Sequence, residues 1–450
     1  MDIFQAIPAE IERLQQEYIL SLQKLIKVRS VIDETSEQYP FGESINQALV
    51  TALEICEKLG FQTYYNPDGY YGYAEVGTGK ELIGILGHVD VVPEGRLEDW
   101  DTPPFEAVLK DGRMYGRGTQ DDKGPTLAAV FAVKALMNLG VVFNSRIRII
   151  FGTDEETLWR CMNHYRQKEE LPSMGFTPDS TFPLVYAEKG LLQFLLKGKN
   201  RTSIRIEGGD AFNAVPSSIQ YTGVKQAELE QKLNELNYAY EKNANDIVIL
   251  GKPAHAQVPE EGVNAITHLA VALYEIGIHS KLIDFIYEVL HEDVFASNIF
   301  GEVQDDVSGK LKFNIGKIAI QEEEEVLSVD MRIPVTADKE DLVGKLIEKA
   351  RTYRLEYEEF DFLHSIYVPL DSPLVQTLMK VYQDATGDIV SQPISSGGAT
   401  YARAMNNCVA FGAIFPGQEK VEHQPNEYIE LEKMYKAVEI YAKAIFELSR

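Results

Sequence analysis

The chain has 450 residues, with 43 basic against 69 acidic side chains and a formal net charge of −26. That balance argues against nucleic acid or an anionic membrane as partner. An apolar content of 45%, with no uninterrupted apolar run of bilayer length, marks a globular chain long enough for two domains. Cys56, Cys161 and Cys408 are widely spaced and form no CxxC pair, so neither a disulfide framework nor a thiolate zinc site is suggested. The opening MDIFQAIPAEIERLQQ lacks the basic start and apolar run of a signal peptide, and a reducing cytoplasm is the simplest location.

Apolar residues recurring at three and four predict helices over 9–27 and 43–59. Strand-like runs follow at Tyr71–Val76 and Leu82–Leu86. The second runs into GHVD, where His88 and Asp90, two apart on an extended chain, point the same way at the edge of an expected core. TLAAVFAVKALMNLG reads as a largely buried helix closed by Gly140, and RIRIIFGTDEE as a strand ending in acids. Strands alternating with helices predict an α/β layer, whose ligands gather beyond the carboxyl ends of its strands. His88, Asp90, Glu155 and Glu156 fall at such ends.

From about residue 190 the texture turns to antiparallel strand material, with helices predicted over 225–240 and 263–277. A hairpin of 311–320 and 325–333 is predicted across QEEEE, read as a solvated turn. Helical periodicity returns in DSPLVQTLMKVYQDATGD. The expectation is a two-domain α/β protein. A catalytic α/β sandwich with a mixed sheet is built from 1–189 and 370–450, and an inserted α+β lid domain takes 190–369.

GHVD, GTQDDKG, TDEET, TPDST and EHQPNE each place acids or histidines at strand ends and loops. Each alone is a weak signal; Asp179, for instance, reads equally as a turn or helix N-cap residue. Their order is stronger. His-x-Asp, Gly-x-x-Asp-Asp-Lys-Gly-Pro, Asp-Glu-Glu, Pro-Asp and Glu-His, taken in that order, resemble the M20 metallopeptidase family. GRGTQDDKGP, GFTPD, YAEKG, SSGGATYAR and EHQPNE resemble its PepV-like bacterial dipeptidase branch, over essentially the whole chain.

The resemblance implies two divalent metal ions, zinc first, with manganese or cobalt as alternatives. His88 and Asp179 would hold one, Glu156 and His423 the other, and Asp121 would bridge them. Imidazole and carboxylate donors suit such ions. It further implies Asp90 as the partner of the second ring nitrogen of His88, Glu155 as general base and later proton donor, and a cis bond between Asp121 and Asp122. From the inserted domain it implies Asn213, His255 and Arg332 reaching over the metals. His255 would donate to the oxyanion and Arg332 would clamp a terminal carboxylate, while Gly397 and Gly398 admit the substrate closely.

The implied activity is hydrolysis of short peptides with a free amino terminus by a catalytically complete monomer. Gln257, where many relatives carry a small residue, leaves the shape of the substrate pocket open. An N-acyl amino acid deacylase would use the same site, and a non-catalytic binding protein could keep the same fold. No GxSxG elbow and no HExxH occurs. His164, His268, His279, His291 and His364 match no motif.

Overall fold

The structure, a computed structural model, describes residues 3–450. It divides into two compact units. One comprises the chain up to Tyr186, Tyr367–Ile394 and Thr400–Arg450; the other comprises Ala187–Ile366 and Ser395–Ala399. The insert therefore runs over 187–366 rather than 190–369, and the SSGGA piece, expected with 370–450, packs with the insert instead.

In the first unit the strands lie in the order Gln62–Tyr65, Tyr71–Val76, Arg146–Gly152, Leu82–His88, Met174–Thr177 and Cys408–Ala410. The first two pairings are antiparallel, and the next three are parallel. Leu82–His88 has parallel neighbours on both sides and every residue buried. That placement explains why it reads as an unbroken apolar run rather than an alternating one. Gly87 in this strand lets helix Lys123–Asn138 come close: a Cβ there would lie 1.7 Å from Thr126 Oγ1. The same helix is packed by Ile3–Ile26 and Leu431–Leu448 and is buried along almost its whole length.

Helix Ile3–Ile26 starts earlier than predicted and runs through Pro8, which has no N–H to give. Burial of Ala6 and Ile7 holds those first turns in place. Glu43–Leu59 stops where predicted, at Gly60 in the left-handed conformation with φ +97. No helix among the described residues is long and apolar enough to cross a membrane.

The second unit is built on an antiparallel sheet in the order Ile206–Gly208, Lys312–Ile320, Glu324–Ile333, Gly190–Lys199 and Glu356–Leu363. Leu192, Phe194 and Leu196 alternate inward, as do Leu327, Val329 and Met331, into one core shared with helices Ala265–Glu275 and Lys339–Thr352. The helix predicted over 225–240 ends at Glu235; Asn237 turns left-handed, and Tyr240–Lys242 is a strand beside Ile247–Leu250. The QEEEE turn is only partly solvated. Glu325 is 1% exposed and accepts the Leu282 N–H at 3.0 Å, in the first turn of helix Lys281–Phe285.

Candidate metal centre

Strand Leu82–His88 ends by delivering a fully buried imidazole. His88 Nδ1 lies 3.0 Å from the backbone carbonyl oxygen of Asp90 and 3.5 Å from its carboxylate Oδ1. The ring nitrogen expected to meet the Asp90 side chain is thus nearer its main chain. The other carboxylate oxygen, Asp90 Oδ2, accepts the Glu156 N–H at 3.0 Å. On its far side His88 presents Nε2 to Asp121 Oδ1 at 3.0 Å and to Asp179 Oδ2 at 3.6 Å.

Asp121 stands between two imidazoles. Its Oδ2 is 3.0 Å from His423 Nε2, which is also 3.0 Å from Glu156 Oε2. Donor atoms of His88, Asp121 and Glu156 lie within 4.8 Å of one another, as do those of His88, Glu155 and Asp179. His88, Asp90, Asp121, Glu155, Glu156, Asp179 and His423 are therefore drawn together within the first unit, from strand ends and loops spread over most of the chain. The Asp121–Asp122 peptide bond is cis.

Two further residues hold this arrangement and were missed in the sequence. Glu427 is fully buried; its Oε1 accepts the N–H groups of Gln120 and Asp121 at 2.8 and 3.2 Å. Its Oε2 accepts from Gly118 N–H at 3.1 Å and from Arg117 Nη1 at 2.7 Å. The loop carrying Asp121 is thus gathered around one carboxylate. Asp122, the other, meets His88 through its main chain: its Oδ2 accepts the His88 N–H at 3.2 Å and the Thr126 hydroxyl at 2.5 Å. EHQPNE contained Glu427, but nothing in its spacing pointed at amides three hundred residues earlier.

Acids crowd the site. Burial, and then Asp121, push the Asp179 carboxyl up to about 7. Burial, helped by Asp179, Glu156 and Asp121, holds Glu155 well above the usual carboxylate range. Burial opposes charge on His423, but Asp121 and Glu156 outweigh it and carry the ring up to about 11. In the same way Asp121, Asp179 and Asp90 overcome burial at His88 and raise it well above the ordinary imidazole value.

The residues expected from the inserted domain fall into two groups there. The Asn213 carbonyl accepts the Ala256 N–H at 2.9 Å, and Ala214 pairs with His255 in an antiparallel bridge, so Asn213 and His255 share one small loop pair. Arg332 meets Gly397. Its guanidinium is buried, and its Nε and Nη2 fork closes on Asp330 at 2.6 and 3.0 Å, with Nη1 donating to the Gly397 carbonyl at 2.7 Å. The fork expected to grip a substrate carboxylate is turned on Asp330. Gly397 is required by Gln257, whose Cβ would stand 2.7 Å from a side chain there, and the Gly398 N–H donates to Ser396 Oγ at 2.9 Å.

Residues 84–447 match the family described as Peptidase family M20/M25/M40. The chain is 35% identical over 465 residues to the Bacillus subtilis (strain 168) protein named "Putative dipeptidase YtjP", covering 98% of this chain and 99% of that protein. It is 33% identical over 466 residues to a Staphylococcus haemolyticus relative of the same description, covering 98% of each. Among solved structures, the dipeptidase Dug1p of Saccharomyces cerevisiae superposes with a TM-score of 0.64 at 16% identity, over 100% of this chain and 99% of that one. Human carnosine dipeptidase 1 does so with a TM-score of 0.63 at 16% identity and the same coverage. At such identity these two speak for the fold alone, a mixed α/β architecture with a mixed sheet. With the family matched over most of its length and full-length relatives above 30% identity, the chain belongs to the M20/M25/M40 peptidase family and is a hydrolase of peptide bonds.

Proposed function

We propose that this enzyme is a dipeptidase working with two divalent metal ions, zinc or, through the same donors, manganese or cobalt. One observation carries the reading: a single carboxylate, Asp121, spans two imidazoles, 3.0 Å from His88 Nε2 and 3.0 Å from His423 Nε2. The donor set fits such a pair. Glu156 Oε1 is buried with no hydrogen-bond partner, and the surrounding carboxylates outnumber the imidazoles, an imbalance that bound cations relieve. His88 and Asp179 would hold one ion, Glu156 and His423 the other, and Asp121 both. When bound, such ions lower the pKa of water and polarise a carbonyl oxygen.

The chain's own groups do the rest. Asp90 orients two ligands at once, through its carbonyl at His88 and its carboxylate at the Glu156 amide. Glu155 takes a proton from the attacking water on its carboxylate and returns it to the departing amine nitrogen, a task suited to a carboxyl held above its usual range by burial. His255 donates to the developing oxyanion, with Asn213 beside it contacting substrate. Arg332 works one step back, fixing the Gly397 carbonyl so that Gly397 and Gly398 keep their place in the substrate loop.

Dipeptides are favoured as substrate by the names of the full-length relatives. We assign a monomer, in which His255 of the insert would serve the same chain. Three free, buried cysteines suit a reducing cytoplasm. The test is turnover of dipeptides beside N-acetyl amino acids by protein stripped with EDTA and reloaded with zinc, manganese or cobalt. Dipeptide hydrolysis returning at two metal equivalents supports the reading. Turnover of the acylated substrates alone would make the enzyme a deacylase, and turnover of neither would leave a binding protein.

A further inference from the structure

His423 sits on a stretch of chain with no regular structure. Between Ile414 and Tyr428 there is neither helix nor strand, His423 itself has φ +64, and its side chain is about half exposed. Burial therefore does little to fix the ring at 3.0 Å from Asp121 and from Glu156. Hydrogen bonds hold the backbone around it, and four of them converge on one side chain. Gln120 Oε1 accepts the N–H groups of Val421 and Glu422 at 2.8 and 3.1 Å. Gln120 Nε2 donates to the carbonyls of Glu419 and Tyr428 at 3.3 and 3.4 Å. Arg117 adds one bond, from Nη1 to the Gln424 carbonyl at 3.2 Å. Gln120 is 8% exposed, and the two N–H groups and two lone pairs of its carboxamide are all used. No other side chain of this length serves both ends: glutamate has no N–H, lysine no acceptor, and asparagine is a methylene short.

We infer that Gln120 is a positioning residue for His423: its carboxamide ties the 419–422 chain to the loop of Asp121, and thereby sets how tightly the ion between Glu156 and His423 is held. A ligand on a loose segment must lose that freedom on meeting its ion, whereas one already in place does not. The ion belongs to the dipeptidase reading, on which this part of the inference rests; the tie between the two segments does not need it. The ion of His88 and Asp179 should feel little of Gln120. His88 comes from strand Leu82–His88, and Glu427 Oε1 holds the main chain at Gln120 and Asp121 whatever the Gln120 side chain does. Gln120 thus acts on one half of the metal pair through the backbone that carries its histidine.

Hydrogen exchange read by mass spectrometry on the EDTA-treated full chain tests the tie apart from any metal. In Gln120→Met, of similar length but with no polar end, peptides covering 419–424 should exchange at least ten-fold faster than in the wild type, while those of strand Leu82–His88 keep their protection. Gln120→Glu, which retains an acceptor for the Val421 and Glu422 amides, should recover part of what Gln120→Met loses. Gln120→Ala takes the place of Gln120→Met if that variant does not fold. Calorimetric titration with zinc then reads the ions. The wild type should take two equivalents, and Gln120→Met should hold the second at least ten-fold more weakly, with the first within about two-fold of wild type. In a His423→Ala background, which leaves one ion, adding Gln120→Met should change nothing, because its effect runs through the imidazole. Unchanged exchange at 419–424, an unmoved second equivalent, both equivalents weakened alike, or a further loss in the His423→Ala background overturns the inference. Faster exchange in a chain whose wild type takes no second ion leaves the tie standing and overturns the two-ion reading instead.

Discussion

Glu155 and Glu156 are adjacent in sequence and face different partners. Glu156 faces His423 at 3.0 Å, while Glu155 lies with His88 and Asp179. Replacing Glu155 by Gln should lower kcat at least 1,000-fold, about 4 kcal/mol of barrier, while elemental analysis still finds two ions; loss of the ions together with activity would exchange the two roles. At Lys189, burial, and then Lys312, bring the ammonium from 10.5 down to about 8. The unfolded chain therefore binds more protons than the folded one between those values, and stability should rise as pH climbs from about 8 towards 10.5. Urea denaturation across that window should show a shallower rise in Lys189→Met than in the wild type. Single residues stood out where their motif and order named them, as with His88, Asp121 and His423, which the structure brings together. Glu427 and Arg117 were not, because their partners are backbone amides and a buried counter-charge brought in by tertiary folding. The resemblance singled out Arg332, yet Asp330, two residues before it on the same strand, takes its fork.

At the scale of elements, helices with strong periodicity read well from the sequence, and short irregular pieces did not. Glu43–Leu59 and Lys123–Asn138 are announced by their apolar pattern and closing glycines. Tyr240–Lys242 is a strand only because Ile247–Leu250 lies beside it, and Glu325 reads as a surface acid until the Leu282 amide is placed against it. The contact of strand Leu82–His88 with helix Lys123–Asn138 is the tightest element-level constraint on the site. A methyl group on Gly87 would meet Thr126 Oγ1 at 1.7 Å and Asp122 Oδ2 at 2.8 Å. Gly87→Ala should cost about 3 kcal/mol through overpacking, seen as a lowered Tm, and should weaken metal binding by displacing His88, whose N–H bonds Asp122.

At the scale of the molecule, the assignment of a self-sufficient chain has a direct check. Mixing separately purified His255→Ala and Glu155→Ala chains should restore no activity; recovery would mean that neighbouring chains complete one another's sites. The two-segment design of the first unit also bears on how the protein is made. Strand Cys408–Ala410 lies against Met174–Thr177, helix Leu431–Leu448 covers Lys123–Asn138, and Tyr401 meets the Cys161 thiol at 3.0 Å. All three arrive from the ribosome after the insert. A nascent chain halted near residue 394 should therefore leave Cys161 open to alkylation, whereas the released protein shields it. Until synthesis nears its end, the early half of the first unit should expose the apolar surface that its last strand and helix later cover, whereas the insert has a core of its own.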